Sequence, residues 1–245
     1  MSARAALAAV LVLCSCSRKE VPVTSTLHPA SSLPTTTLDW LSLRDHFVAT
    51  VGPQAGRGQR LGPLLVLADA TFAPRSRFPL HPHRDMEILS VVLEGEMSHA
   101  GDGANGMTVK PRGAQLISSR NGMRHAEGNE TDAPVRMLQI WIEPTTTGGD
   151  AAYFYRQLPA EPGRHLLAGD EGMPLRNDVK VWWLDAPGRA MVAAGRRGYV
   201  VALSGKTKLG AQALNVGDGA EVSSGELVVE GTGSVLLIDL VAQLP

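Results

Sequence analysis

Short apolar segments separated by turn residues run along most of the chain. Segments such as MEILSVVLEG and VRMLQIWIEP have strand length and are rich in β-branched residues. Glycine, proline, asparagine and aspartate separate them, as in Gly101-Asp102-Gly103 and Asn105-Gly106. Helical periodicity is scarce, and only the short stretches 38–47 and 150–157 are helix candidates. The pattern predicts an all-β sandwich or barrel.

The strand-rich part of the chain divides into two blocks. The first covers residues 38–144, and the second covers residues 177–245. Between them, residues 145–176 are irregular and rich in glycine and proline, which is typical of a linker. The segment YVVALSG and the later turn NVGDGA parallel VVLEGEM and KPRGAQ in the first block. We interpret this order as a weak internal repeat, with one small barrel in each half.

The N-terminal residues have the composition of a targeting segment. Residues 1–16 contain Arg4 and then an apolar run that is too short to span a bilayer as a helix, as in a secretory signal peptide. The sequence Leu13-Cys14-Ser15-Cys16 resembles a bacterial lipobox, and a misassigned start or an uncleaved anchor is the alternative. Residues 17–37 are rich in serine, threonine and proline, which predicts a flexible spacer. We therefore expect an exported, periplasmic lipoprotein tethered to the membrane through Cys16.

Composition limits the partners and the metal chemistry. The 245 residues carry a net charge of −1, and no basic stripe interleaved with aromatic residues is present, so we expect no nucleic-acid partner. We expect a monomer that acts on a small molecule. Cys14 and Cys16 are the only cysteines. Any metal site in the folded part must therefore use nitrogen and oxygen donors.

Two histidine-containing motifs supply such donors. His81 and His83 lie in FPLHPHRDMEIL, and His125 and Glu127 lie in GMRHAEGN. Residues i and i+2 of a strand point to the same face, so each motif could direct both side chains into one cavity. Three neutral imidazoles and a carboxylate suit a borderline divalent transition metal. Residues 177–245 contain no histidine, so such a site belongs to the first half.

Other residues near these motifs have simpler interpretations. If the strand after His81 is regular, Glu87 shares its face with the two histidines. We interpret His99 as an exposed or hydrogen-bonded turn residue, and we place His46 near the mouth of the site without making it a ligand. Trp141, Trp182 and Trp183 are assigned to the core.

The two motifs resemble those of cupins. HPHRDMEIL, GMRHAEGN and LQIWIEP together resemble the pirin family, and in particular its bacterial quercetinase-like members. The resemblance implies two tandem cupin barrels, the double-stranded β-helix fold, with a metal in the N-terminal barrel alone. It implies the ligands His81, His83, His125 and Glu127, with Glu127 also able to accept a substrate proton. Glu87 is the alternative fourth ligand, because many other cupins use the acid at that position; otherwise a residue such as Arg84 would hold it.

The resemblance also implies a cofactor and a reaction. The metal would be Fe(II), with nickel, manganese, copper and zinc as alternatives, and the reaction would be dioxygenation of a flavonol or another phenolic substrate. Aromatic residues make up only 4% of the chain, so few rings are available to hold a flavonol. A non-enzymatic metal-binding or redox-sensing module and a small-ligand-binding lipoprotein are the competing functions.

Overall fold

The computed structural model describes residues 22–242, and the predicted signal peptide lies outside them. The described chain forms two antiparallel β-barrels in tandem, each made of a large sheet and a smaller one. Single 3-10 turns occur at Ala30–Ser32 and Gly52–Gln54. No helix among these residues has the length and apolar character needed to cross a membrane. The prediction of an all-β tandem cupin fold is confirmed.

Strand β1 (Ser25–His28) opens the described chain but pairs with the second barrel. The front barrel follows, and its strands are β2 (Thr35–Thr37), β3 (Leu41–Asp45), β4 (Leu64–Phe72), β5 (Ser76–Arg77), β6 (His81–His83), β7 (Glu87–Glu94), β8 (Met97–Gly101), β9 (Met107–Val109), β10 (Gly113–Ser118), β11 (Met123–Asn129), β12 (Val135–Ile142) and β13 (Ala152–Gln157). Its large sheet has the strand order β13-β10-β7-β12-β4-β3-β2. Its small sheet has the order β5-β11-β8-β9, and β6 also pairs with β11.

The second barrel repeats this plan. Besides β1, its strands are β14 (Arg164–Ala168), β15 (Val179–Asp185), β16 (Gly188–Val192), β17 (Arg196–Ser204), β18 (Thr207–Leu209), β19 (Gln212–Leu214), β20 (Gly219–Val222), β21 (Gly225–Gly231) and β22 (Ser234–Val241). Its large sheet has the order β1-β20-β17-β22-β15-β14, and its small sheet has the order β16-β21-β18-β19.

Alternate residues of the large sheets serve different cores. In β7, Leu89 and Val91 pack with residues of the second barrel such as Tyr199 and Leu236, so one apolar layer joins the two large sheets. The neighbouring residue Val92 faces the interior of the front barrel instead. The period-2 geometry of a strand thus divides one apolar run between the inter-barrel layer and the barrel interior.

Both helix candidates are strands. Residues 38–47 contain β3, and residues 150–157 contain β13. In β3 the sequence LSLRD is buried at every second position, which is the period of a strand. Both strands extend the large front sheet, because β3 pairs with β4 and β13 pairs with β10. Pairing with a neighbouring strand of the sheet therefore outweighed the weak local helical preference of these two segments.

The spacer and the linker are also more structured than predicted. The prediction of a flexible spacer is wrong for residues 22–37, because β1 pairs with β20 and β2 pairs with β3; residues 17–21 lie outside the described part. Threonine is a favourable strand residue, so a Ser/Thr-rich stretch can add an edge strand where a partner is available. Within 145–176, β13 joins the front barrel and β14 joins the second barrel. The rest of 145–176 lies outside these two strands.

An ion pair links the two barrels. Arg112 of the front barrel donates two hydrogen bonds of 3.0 Å to the carboxylate of Asp185 in the second barrel. Ser234 and Trp183 also donate to this carboxylate. Burial by itself raises the pKa of the Asp185 carboxyl, but these hydrogen bonds outweigh it and hold the pKa below its ordinary value. The charged form of Asp185 therefore stabilises the folded chain.

Candidate metal centre

Three histidines meet on the small sheet of the front barrel. Strands β6 and β11 pair antiparallel, with His81 directly opposite His125 and His83 opposite Met123. The ring centroids of the three imidazoles are 4.6 to 5.0 Å apart. One nitrogen from each ring lies within 4.8 Å of the others. This separation allows all three nitrogens to reach one ion placed between them.

The hydrogen bonding of these histidines fits a metal site. His125 is fully buried, and neither of its ring nitrogens has a hydrogen-bond partner within the part of the chain that the structure describes. Buried polar atoms without a partner are costly, so an arrangement of this kind needs a ligand to account for it. Nδ1 of His81 donates a hydrogen bond of 2.8 Å to the Pro79 carbonyl oxygen, because that oxygen can only accept. This bond leaves Nε2 of His81 with its lone pair free.

The electrostatics of the cluster favour neutral imidazoles. Burial lowers the pKa of both His83 and His125 to about 3, and repulsion between the neighbouring histidines adds to this effect. A metal binds the neutral imidazole, so at neutral pH no proton has to be displaced from these two rings. The nitrogen-rich donor set suits a borderline transition ion better than calcium or magnesium.

Glu127 lies two residues after His125 and lines the same cavity as His81 and His83. Its Oε1 accepts hydrogen bonds of 2.5 Å from both Ser90 and Gln115. The Tyr153 hydroxyl in turn donates a bond of 3.0 Å to the Gln115 side-chain oxygen. Burial raises the pKa of the Glu127 carboxyl, although both hydrogen bonds act in the opposite direction. Two polar residues thus hold the Glu127 carboxylate directly and Tyr153 supports one of them, although the cluster of donor atoms within 4.8 Å of one another contains only the three histidines.

Glu87 is not part of the histidine cluster and does not line the cavity. The condition under which Glu87 would share a face with His81 and His83, a regular strand, is not met, because Asp85 has a φ of 47° and interrupts the strand between β6 and β7. Oε1 of Glu87 accepts a hydrogen bond of 2.6 Å from Ser118. Burial raises the pKa of this carboxyl, while the charges of Arg176 and Arg120 oppose the rise. These two arginines, and not Arg84, are therefore its cationic neighbours.

The other histidines and the tryptophans partly depart from expectation. His99 is buried in β8 and not in a turn, and its ring lies 5.3 Å from that of His125. Of the two alternatives predicted for it, exposed or hydrogen-bonded, the second is confirmed, because its Nε2 donates to the Asp102 backbone oxygen. Nδ1 of His46 lies 2.9 Å from the Tyr199 hydroxyl in the second barrel, and His46 does not line the cavity. Trp183 is buried as predicted. Trp141 instead forms part of the cavity wall, with its ring 5.0 Å from His83.

A cavity of about 190 Å³ lies in the front barrel. His81, His83 and Glu127 are part of its lining. Most of the wall is apolar and is contributed by Leu43, Val51, Ala68, Ala70, Phe72, Phe78, Met137 and Trp141. An apolar pocket with a few convergent polar groups is the usual form of a small-molecule site.

Several of these residues were not predicted from the sequence. Ser90 and Gln115 each lie within an apolar strand, in EILSVVLE and GAQLIS, and each is fully buried. A buried polar residue needs a hydrogen-bond partner, so a lone polar position in an apolar strand was the available signal. Tyr153 reaches the site from β13, outside the predicted first block, and no sequence pattern indicated this contact.

Comparison with known proteins agrees with this architecture. The tandem cupin barrels, with the histidine cluster in one barrel, define a bicupin with a candidate metal centre. The Pirin family model matches residues 28–142. A pirin-like protein from Caulobacter vibrioides is 32% identical over 75% of this chain and 84% of its own length. The chain therefore belongs to the pirin family.

Other relatives carry more specific names. Quercetin 2,3-dioxygenase from Escherichia coli K12 is 29% identical over 72% of this chain and 82% of its own length. The crystal structure of the bacterial pirin YhhW from Escherichia coli in complex with nickel(II) has a TM-score of 0.80 and 25% identity, and the match covers 89% of this chain and 99% of that one. That relative binds nickel, and the histidine cluster described above is compatible with metal binding here.

Proposed function

We propose that this chain is a metal-dependent dioxygenase of a phenolic substrate. The observation that carries the proposal is the convergence of His81, His83 and His125, of which His81 and His83 line a largely apolar cavity. Neither ring nitrogen of the buried His125 has a hydrogen-bond partner among residues 22–242. The quercetinase names of several relatives give independent support. We propose Fe(II) as the resident metal; nickel, manganese, copper and zinc are compatible with the same donors.

In this proposal the three imidazoles and Glu127 hold the ion. When bound, such an ion supplies Lewis acidity and redox chemistry toward a phenol and dioxygen. Glu127 is preferred over Glu87 as the fourth ligand because it lines the cavity with His81 and His83, whereas Glu87 is bonded to Ser118.

Glu127 also has the properties of a proton acceptor. Burial raises its pKa, so it holds a proton more readily than an exposed carboxylate does. Ser90 and Gln115 fix its orientation, which keeps the carboxylate aimed at one place in the cavity. The apolar residues Phe72, Phe78 and Met137 surround the substrate position and exclude water from it.

Two measurements test this function. Metal analysis of the protein purified from its native compartment should give about one transition-metal ion per chain, as expected for a single site. The metal-loaded protein should consume dioxygen in the presence of phenols, and protein treated with a chelator should not. Bound metal without oxygen consumption on any phenol would contradict the dioxygenase and favour a non-enzymatic metal-binding module.

We also propose that the chain is exported and lipidated at Cys16, on the lipobox-like sequence alone. The wild-type protein should partition into the detergent phase of a membrane extract, and Cys16→Ala should move it to the aqueous phase. Equal partitioning of the two proteins would contradict lipidation.

A further inference from the structure

The motif LQIWIEP on β12 takes no part in the histidine cluster, but two of its residues reach the same cavity. Gln139 and Trp141 both line the cavity that His81 and His83 also line. They are two residues apart on one strand, so their side chains lie on the same face of the sheet. Ile140 between them is fully buried in the layer that joins the two barrels, whereas Gln139 and Trp141 are half-buried. The motif therefore presents one amide and one indole ring to the cavity.

The side-chain amide of Gln139 has no partner in the described chain. It makes no hydrogen bond within residues 22–242. Neither of its polar atoms is among those that are enclosed by protein and unpartnered, so the amide is accessible from the cavity that Gln139 lines. A primary amide can donate two hydrogen bonds and can also accept them. This amide is therefore available to a ligand.

Strand register places Gln139 close to Glu127. Gln139 of β12 is directly opposite Ser90 of β7, and residues paired in this way have Cβ atoms about 5 Å apart on one face of the sheet. The Ser90 hydroxyl donates a hydrogen bond of 2.5 Å to Oε1 of Glu127. On the other side of Ser90, Gln115 of β10 donates to the same oxygen. A glutamine thus lies on each side of Ser90, and only Gln115 is used to hold the carboxylate.

The second barrel has apolar residues at the corresponding positions. There β22, β17 and β20 occupy the places of β12, β7 and β10. Val200 corresponds to Ser90, since each lies five residues before the glycine that follows its strand. Register then places Leu237 and Ala220 on either side of Val200, and all three belong to the apolar core of that barrel. The fold therefore does not require an amide at the position of Gln139, which indicates a role in binding.

Glu127 and Gln139 together can bond to two neighbouring oxygens. In the proposed reaction Glu127 faces the hydroxyl group that binds at the metal. The amide next to it can bond to an oxygen on the adjacent ring carbon, either a hydroxyl or a carbonyl, because it both donates and accepts. The ring of Trp141 lies 5.0 Å from that of His83 and offers an aromatic surface against which the ligand ring can pack.

We propose that Gln139 is a specificity-determining residue that binds the second oxygen of an aromatic substrate with oxygens on two adjacent ring carbons. The first oxygen lies at the histidines beside Glu127, and Trp141 packs against the ring. A phenol with a single oxygen leaves the amide without a partner, and a site that bonds a hydroxyl group discriminates against an analogue that lacks it. The inference rests on the proposed function and names the substrate class.

The test measures the anaerobic binding of catechol and of phenol to the metal-loaded full chain by calorimetry. Gln139→Met keeps the length of the side chain and removes the amide. It should reduce the preference for catechol over phenol by about tenfold relative to wild type, because a ligand oxygen is left without its partner. Catechol can also chelate the ion, but this contribution is common to both proteins and cancels in the comparison. The exposed Gln54→Met is the matched control and should keep the wild-type preference.

Metal affinity and thermal unfolding separate recognition from a structural role. Gln139→Leu copies the counterpart Leu237 and should show the same loss of preference. Its metal affinity should equal that of wild type, and its Tm should be equal or higher, because leucine adds apolar surface to an apolar wall. Equal weakening of both compounds together with lower metal affinity would make Gln139 a support of the metal centre and would overturn the proposal. An unchanged preference in both variants would overturn it as well.

Oxygen consumption distinguishes a failure of this inference from a failure of the proposed function. If wild type consumes oxygen on phenols and Gln139→Met keeps the full preference for catechol, the role of Gln139 alone is overturned. If the preference depends on Gln139 and no phenol supports oxygen consumption, the dioxygenase is overturned and the binding role is kept. Absence of binding of both compounds to wild type would overturn both.

Discussion

The two barrels have the same arrangement of strands, but among the described residues only the front barrel contains a cluster of possible metal ligands. In the second barrel β16 pairs with β21 as β6 pairs with β11 in the front barrel, and β18 then pairs with β21 as β8 pairs with β11. This register gives each site residue a counterpart. Ala190, Val192, Leu227 and Val229 correspond to His81, His83, His125 and Glu127, in that order, and Leu209 corresponds to His99.

All five counterparts are buried and apolar. They belong to one continuous apolar core that fills the second barrel. The comparison shows that the fold itself does not need the polar cluster. The continuous apolar core stabilises the second barrel. The front barrel instead contains buried polar atoms without a hydrogen-bond partner among the described residues, such as the ring nitrogens of His125. Residues that lower stability in one copy of a repeated plan indicate function in that copy.

The largest effect is expected from making the front barrel like the second at one position. His125→Leu copies the counterpart Leu227 and removes one imidazole from the cluster. Metal affinity should fall by more than about 100-fold, because losing a ligand costs more affinity than losing a residue that only hydrogen-bonds to a ligand. The β circular dichroism spectrum should stay unchanged. Metal analysis after dialysis checks this result. His165→Ala removes a histidine outside the cluster and should keep full metal content; equal metal in both variants would contradict the site.

The second largest effect is expected from removing the ion pair between the two barrels. Asp185→Asn removes the charge that pairs with Arg112 and should lower the free energy of unfolding by about 3 kcal/mol at neutral pH, as expected for one partner of a largely buried pair. Because the pKa of Asp185 is below its ordinary value in the folded chain, this stabilisation is present above about pH 4 and is lost as the pH falls further.

Chemical denaturation from pH 7 to pH 3 measures this difference. The wild-type advantage over Asp185→Asn should be constant near neutrality and should shrink below about pH 4. An advantage that grows on acidification would contradict the assignment of the charged form as the stabilising one.

The two glutamates give a smaller and more discriminating contrast. Glu127→Gln should lower metal affinity by about 10- to 100-fold, whereas Glu87→Gln should change it by less than about threefold, because Glu87 is bonded to Ser118 and lies outside the cavity lining. Competition with a chromophoric chelator gives both affinities. A larger loss for Glu87→Gln would make Glu87 the fourth ligand.

The smallest effect is expected for Tyr153→Phe. This change removes the hydroxyl that bonds to Gln115 and leaves the ring in place beside His99. Metal affinity should fall by no more than about tenfold, since Tyr153 acts on Glu127 only through Gln115. Tyr155→Phe removes a hydroxyl bonded to Gln157 and is the matched control from the same strand. Equal affinities in the two variants would show that Tyr153 does not position the carboxylate.

The sequence alone determined the class of fold and the kind of donors. Alternating short apolar segments with turn residues between them allow little other than β-structure, and the absence of cysteine from the folded part left nitrogen and oxygen ligands. The i, i+2 spacing in HPH and HAE placed each pair on one strand face, because that spacing is the period of a strand.

Which strands pair with each other depends on contacts between distant parts of the chain. Strands β1, β3 and β13 form by pairing with strands elsewhere in the chain. The local helical preference of residues 38–47 and 150–157 was therefore misleading. The turn at Asp85 interrupts the strand between the histidines and Glu87, although sequence spacing suggested a shared face. Sheet register brings Ser90 of β7 opposite Gln115 of β10, and both donate to Glu127 of β11, so this group of residues forms no continuous motif in the sequence.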